Sequence, residues 1–267
     1  MPMKFAFIGQ NTLGGIEDDA RFARENGFEA LEFNYWGDFA HLTQETVEEM
    51  RRILDRHGVR CSMLGLWGWN HISPEDLERD EAHRMLDRAI EFGRLLGASV
   101  LTTGAGEIPD APLDRKVAAF ARYFPPFLKR IEKAGMKPAL YAVHGTSFLD
   151  GIAAYERLWA KCPQVGMKFD PANWRHHGDD YLAALRAHGD KVAYVHIKEH
   201  LYIGSDLASE PAAGLGDIQW GKVMAFLYEH HYDGYLSVEP HGPVWSRGDM
   251  RRRMLLLSKR YISQFIL

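Results

Sequence analysis

The chain has 267 residues, 46% of them apolar and 25% charged, and carries a formal net charge of -4. That composition supplies one large core and excludes a disordered chain. The acidic balance, with one basic run at Arg251-Arg252-Arg253 on what reads as the solvated face of a terminal helix, argues against nucleic acid or an anionic membrane as a partner. Cys61 and Cys162 lie about a hundred positions apart with no CxxC neighbour, so neither a zinc knuckle nor a disulfide framework is expected. The opening apolar run Phe5-Ala6-Phe7-Ile8 is too short for a leader or a membrane span. One cytoplasmic domain over residues 1–267 is the expectation, with self-association left open.

Short apolar runs alternate with helix-length amphipathic stretches along the whole chain, the pattern of an α/β fold with a parallel sheet. Strands are predicted near residues 4–9, 28–34, 59–65, 98–104, 136–143, 165–170, 191–198 and 234–240, each followed by a helix. Eight such pairs in a chain of this length define a (β/α)8 barrel, a TIM barrel. Thr43 reads as a helix cap, with Leu42 and Val47 placed as a hydrophobic staple and Gly58 as the terminator. Ser73-Pro74-Glu75-Asp76 reads as the start of a long helix, with Ser73 as cap and Pro74 in the first turn. Its buried stripe is Ala82, Met85, Leu86, Ala89, Ile90 and Gly93. Pro125-Pro126 should break the fourth helix, because proline removes an internal hydrogen bond and crowds the preceding turn. The longest irregular stretch, residues 199–217, is rich in Gly, Ala and Ser and is expected to be a loop over the site whose order depends on ligand.

Barrel strands alternate between residues that point inward and residues that face the helices. In the sixth strand Val165, Met167 and Phe169 share the helix-facing side, which leaves Gly166, Lys168 and Asp170 inside. In the seventh, Ala193, Val195 and Ile197 face out while Tyr194, His196 and Lys198 point in. In the eighth, Leu236 and Val238 face out while Tyr235, Ser237 and Glu239 point in. Asp170, His196 and Glu239 thus converge near the C-terminal rim, where barrels of this kind carry their chemistry. Two carboxylates and an imidazole buried together need either a dense hydrogen-bond network or a cation. The location favours the cation, and the mixed oxygen and nitrogen donors suit Mn²⁺ first, with Mg²⁺, Co²⁺ and Zn²⁺ as alternatives.

The segments Asp170-Pro171-Ala172-Asn173, Val195-His196-Ile197-Lys198-Glu199, Gly214-Leu215-Gly216-Asp217-Ile218-Gln219-Trp220 and Tyr235-Leu236-Ser237-Val238-Glu239-Pro240 resemble the last three strands of the xylose isomerase-like sugar phosphate isomerase/epimerase superfamily. The resemblance implies a metal held by four protein ligands, of which Asp170, His196 and Glu239 match three. The fourth, a glutamate on the fifth strand, falls at Ala142 in Leu140-Tyr141-Ala142-Val143-His144-Gly145-Thr146. That glutamate is also one of the two proton-moving carboxylates of the epimerases. His144 is placed two residues further along, about 6–7 Å nearer the rim, either as substitute ligand or as substrate contact. The run Tyr-x-x-His-Gly-Thr is similar to the inosose dehydratase branch. A metal-dependent nuclease of the same barrel is disfavoured by the acidic balance and the missing extra ligands.

The expected activity is isomerisation or epimerisation of a sugar or keto-sugar through an enediolate, with Glu239 as the leading base and Lys198 and His144 as further catalytic candidates. The alternatives are a dehydratase or hydratase acting on a keto-sugar or cyclitol, favoured by Ala142, and a barrel that binds sugar without turnover. Lys198 could instead serve only as the ion-pair partner of a nearby carboxylate such as Glu32. Candidate substrate contacts on the rim are Trp67, Trp69, His71, Glu107, Asn173, Trp174, His241 and Arg247, with the clustered tryptophans suited to stacking on sugar faces.

Overall fold

A computed structural model describes residues 2–143 and 145–267. The barrel strands are β1 (Lys4–Ile8), β2 (Ala30–Tyr35), β3 (Arg60–Leu66), β4 (Val100–Thr103), β5 (Lys137–Leu140), β6 (Gly166–Phe169), β7 (Val192–Ile197) and, after a hairpin, β10 (Tyr235–Val238). They pair in parallel and close into a ring in the order β1-β10-β7-β6-β5-β4-β3-β2. The expected (β/α)8 barrel is therefore what the chain forms, with strand ends trimmed by a few residues.

The helices bury stripes against this ring. α2 (Gln44–His57) starts where Thr43 accepts a hydrogen bond from the amide of Thr46 and stops at Gly58, whose φ of 66° is the left-handed conformation glycine takes at low cost. Leu42 and Val47 both lie in the core. The long α3 (Asp76–Leu96) buries the whole predicted stripe together with Phe92 and Leu96. Its start differs from expectation: the first helical residue is Asp76, so Pro74 stays outside. Ser73 accepts from the amide of Glu75 at 3.1 Å and donates to Glu78, closing a turn ahead of the helix rather than capping it. The proline pair separates α4 (Leu113–Tyr123) from α5 (Pro125–Lys133), which begins on Pro125. The last helix, α10 (Gly248–Ser263), is tied to α1 (Leu13–Glu25) by Arg251, which pairs with Asp19 at 2.8 Å and donates to the carbonyl of Ile8.

Two refinements concern the ring. Val195 and Ile197 pack in the layer beneath the helices as predicted, whereas Ala193 falls among the interior residues Ala6, Ala30, Met63, Val100 and Ala139. The cause is a register shift where β6 meets β7, pairing Met167 with Val192 and Lys168 with Tyr194. β5 ends at Leu140, and Val143 takes a φ of 56°, so a two-residue repeat cannot be extended past the strand end to orient the residues beyond it. The stretch 199–217 is not wholly irregular: β8 (Leu201–Ile203) and β9 (Asp206–Ser209) form an antiparallel hairpin turning at Gly204, φ 64°. The alternation Leu201-Tyr202-Ile203 followed by Gly204-Ser205 carried that signal.

Candidate metal centre

Asp170, the residue after β6, does two jobs. Its Oδ1 caps α7 (Pro171–His177) by accepting from the amide of Asn173 at 3.1 Å, and Pro171 fits the first turn because its missing N–H has no partner to lose. Its Oδ2 is thereby turned inward, 3.7 Å from His196 Nδ1 and 3.5 Å from Lys168 Nζ. Glu239 follows β10 with its amide still donating to the carbonyl of Ile197, and its Oε2 lies 2.5 Å from His196 Nδ1. The three ligand atoms all lie within 4.8 Å of one another. Asp170 and His196 are 2% and 1% exposed.

The other ring nitrogen of His196 is held from behind. Nε2 sits 2.8 and 3.0 Å from the two oxygens of Glu32 on β2, which also accepts from Ser237 Oγ and Asn34 Nδ2, both at 2.6 Å. Asn34 in turn accepts from the indole of Trp67 at 2.7 Å. Gly65 leaves the space for this relay, since a Cβ there would lie 2.1 Å from Asn34 Oδ1. A carboxylate on Nε2 fixes the proton there and leaves Nδ1 aimed at Asp170 and Glu239, the arrangement that metal-ligating histidines use. The residues therefore fit a divalent cation with three protein donors and one position open.

The electrostatics describe the same site with a proton in the cation's place. Burial alone would neutralise His196, but the carboxylates of Glu32 and Glu239 outweigh it and raise its pKa to about 10. Burial likewise opposes ionisation of Asp170 and Glu239. Lys168 and the His196 bond hold Asp170 well below the usual carboxylate range, and Lys198 and His196 do the same for Glu239. Lys198 Nζ lies 3.7 Å from Glu239 Oε1 and donates to Asn173 Oδ1 at 3.1 Å. Its carboxylate neighbour is thus Glu239, not Glu32, which is committed to His196.

The rim candidates separate into groups. Asn173 reaches the centre through Lys198, and His241 through Glu239, with its Nε2 3.9 Å from Oε1. Trp67 is buried, stacked on Tyr141 at 4.0 Å between ring centres and facing Lys168 at 5.3 Å. Trp69 packs on the core, and Glu107 is paired with Lys116. His71 is fully buried, bonded to Thr103 at 2.8 Å and packed edge-on to Phe124. Trp174 turns into the core beside Tyr155 and Phe169, and Arg247 is exposed at the start of α10. His144 lies outside the described residues. Lys168 had no site role in the sequence reading and Glu32 only that of an ion-pair partner for Lys198, although their inward positions are visible in Glu32-Phe33-Asn34 and Lys168-Phe169-Asp170.

The described residues form a closed parallel barrel with two carboxylates and an imidazole clustered at its C-terminal mouth, the face at which enzymes of this architecture carry their active sites. The family profile described as xylose isomerase-like TIM barrel matches residues 20–259, and the chain belongs to that family. No curated protein sequence matches. Among solved structures the chain is similar to an L-ribulose 3-epimerase, with 16% identity, 98% of this chain and 94% of that one covered, and a TM-score of 0.79. A D-psicose 3-epimerase with D-tagatose from Clostridium cellulolyticum H10 gives 15% identity, 98% and 99% coverage and a TM-score of 0.78. A probable 3-DHS dehydratase from Bacillus anthracis gives 15% identity, 98% and 99% coverage and 0.73. No helix among the described residues is long and apolar enough to cross a membrane.

Proposed function

We propose that the protein is a metal-dependent isomerase or epimerase of a sugar or keto-sugar. The observation that carries this reading is the convergence of Asp170, His196 Nδ1 and Glu239 on one point, with His196 Nε2 fixed by Glu32. The similarity to sugar epimerases supports it. Mn²⁺ suits the donor set best, and the fourth position falls to water or to His144 in place of the glutamate absent at Ala142. A bound cation supplies Lewis acidity that polarises a carbonyl and makes a neighbouring C–H proton removable.

The chain's own groups do the rest. Glu239 is the most open of the three carboxylates, its side chain 14% exposed against 4% for Asp170 and 0% for Glu32, and so it is the one placed to take the proton. The C–H electron pair becomes a carbon–carbon double bond and the carbonyl π pair moves onto oxygen, where the ammonium of Lys198 holds the developing charge. Return of the proton to the neighbouring carbon, or to the other face of the same carbon, completes isomerisation or epimerisation. Asn173 fixes Lys198 through its 3.1 Å bond. Residues 199–217, which include the hairpin β8–β9, are proposed to act as a ligand-responsive lid.

Ala142 favours a second reading. Without a carboxylate from the fifth strand a two-base epimerisation lacks one base, whereas a dehydration needs a single base and an acid for the leaving hydroxyl, roles that Glu239 and Lys198 fill. The test is Mn²⁺ titration of Asp170→Asn and Glu239→Gln proteins together with NMR of candidate keto-sugars in D₂O. Both variants should stay folded, lose metal and lose turnover. Stoichiometric metal and full activity in both would refute the centre. Deuterium exchange without loss of water selects isomerisation or epimerisation, and loss of water selects the lyase. In the parallel His144→Gln protein, lost metal marks a ligand, and retained metal with lost activity marks a substrate contact.

A further inference from the structure

Barrels of this architecture frequently bind a substrate phosphate with the loops after the seventh and eighth strands and the N-terminus of a short extra helix. Here the loop after the seventh strand is drawn around a carboxylate of the chain's own. Glu199 follows β7 and is fully buried, and its carboxylate accepts from the amides of His200 at 3.1 Å, Gly214 at 3.0 Å and Ile218 at 2.9 Å, and from the indole of Trp220 at 3.0 Å. Ile218 and Trp220 lead into α9 (Trp220–Glu229), so these donors of the strand-seven loop are already satisfied and are not free to meet a phosphate.

Beside the metal centre the chemistry is different. Glu210, at the end of the hairpin, accepts from His241 Nδ1 at 2.6 Å. Its Oε1 is 3.5 Å from Nε2 of His200, a residue 2% exposed whose Nε2 has no hydrogen-bond partner among the described residues. The neighbouring carboxylate favours the tautomer with the proton on Nε2. A buried N–H without an acceptor thus stands beside a carboxylate able to accept. A hydroxyl, which donates and accepts at once, satisfies both groups, whereas an anion meets repulsion from Glu210 and, through His241, from Glu239.

We infer that His200 and Glu210 form a hydroxyl-binding subsite and that the substrate is an uncharged polyol, not a phosphate ester. The inference rests on the polyol reading above and adds its charge class. It is tested by calorimetry on the Mn²⁺-loaded protein at fixed ionic strength, using D-tagatose, D-allulose and D-fructose and their 1- and 6-phosphates as probes. At least one free ketose should bind, its phosphates at least ~10-fold more weakly. Glu210→Gln should narrow that gap, and His200→Asn should weaken the free sugar with Mn²⁺ affinity unchanged. Phosphates that bind the wild-type protein as tightly as the free sugars overturn the inference and leave the polyol reading standing, a comparison that needs no variant to fold. If no sugar of either kind binds while Mn²⁺ does, the polyol reading falls and this one with it.

Discussion

Replacing Glu32 by Gln separates the residue that aims His196 from the proposed metal ligands themselves. Glu32 is wholly buried and touches no position the cation would occupy, yet it accepts from His196, Asn34 and Ser237. The amide keeps the shape and removes the charge that holds the Nε2 proton. Losing such an outer carboxylate weakens metal binding about 10- to 100-fold, or about 1.4 to 2.7 kcal/mol. The metal-free protein should suffer as well, because its His196 cation is stabilised chiefly by Glu32 and a hydrogen bond between charged groups contributes about 1.5–3 kcal/mol. For a chain of this size that is a fall in Tm of roughly 3–12 °C. Mn²⁺ titration calorimetry and thermal unfolding followed by circular dichroism read the two effects. Mn²⁺ affinity within about threefold of wild type, in a protein whose Tm has dropped, would refute the orienting role and leave Glu32 as core structure only.

Lys168→Met should tighten Mn²⁺ binding by about tenfold or more, since it removes an ammonium 3.5 Å from the ligand oxygen of Asp170; weaker binding would mean that the lysine positions Asp170 instead of competing with the cation. His71 is kept neutral by burial, its pKa lowered to about 3 with His83 contributing. The unfolded chain therefore binds the extra proton between about pH 6.5 and 3, and stability should fall on acidification through that window by up to about 1.4 kcal/mol per pH unit. Chemical denaturation at a series of pH values should show this slope in the wild type and a shallower one in His71→Gln.

How far the sequence reaches depends on the range of the interaction. Asp170, His196 and Glu239 were legible because each closes a short run whose alternation is local, and because strand ends at one barrel face are where charge is functional. Glu32 bonds to a residue 164 positions away across the ring, and only its polarity, shared with Asn34 in a β2 otherwise apolar, hinted at a role. Trp174 looked like a rim aromatic from its neighbours in sequence, but α7 turns it toward Tyr155 and into the core. The hairpin after β7 was overlooked because its glycine and serine content was taken as irregularity, when a two-residue Gly-Ser turn between apolar residues is itself a pairing signal. Beyond β5 the backbone leaves the extended region at Val143, and no alternation rule survives that change.

The ring is closed by its first and last strands, with Lys4 aligned to Tyr235 and Phe7 to Val238, and is braced outside by Arg251 on Asp19. During synthesis β1 precedes its second neighbour by some 230 residues. Until then β1 and β7 each present a bare row of amides and carbonyls, and the apolar sides of both sheet edges have nothing to cover them. A ribosome that stalls before Tyr235 therefore releases a sheet open at two edges, a substrate for chaperones or for pairing with another unfinished chain.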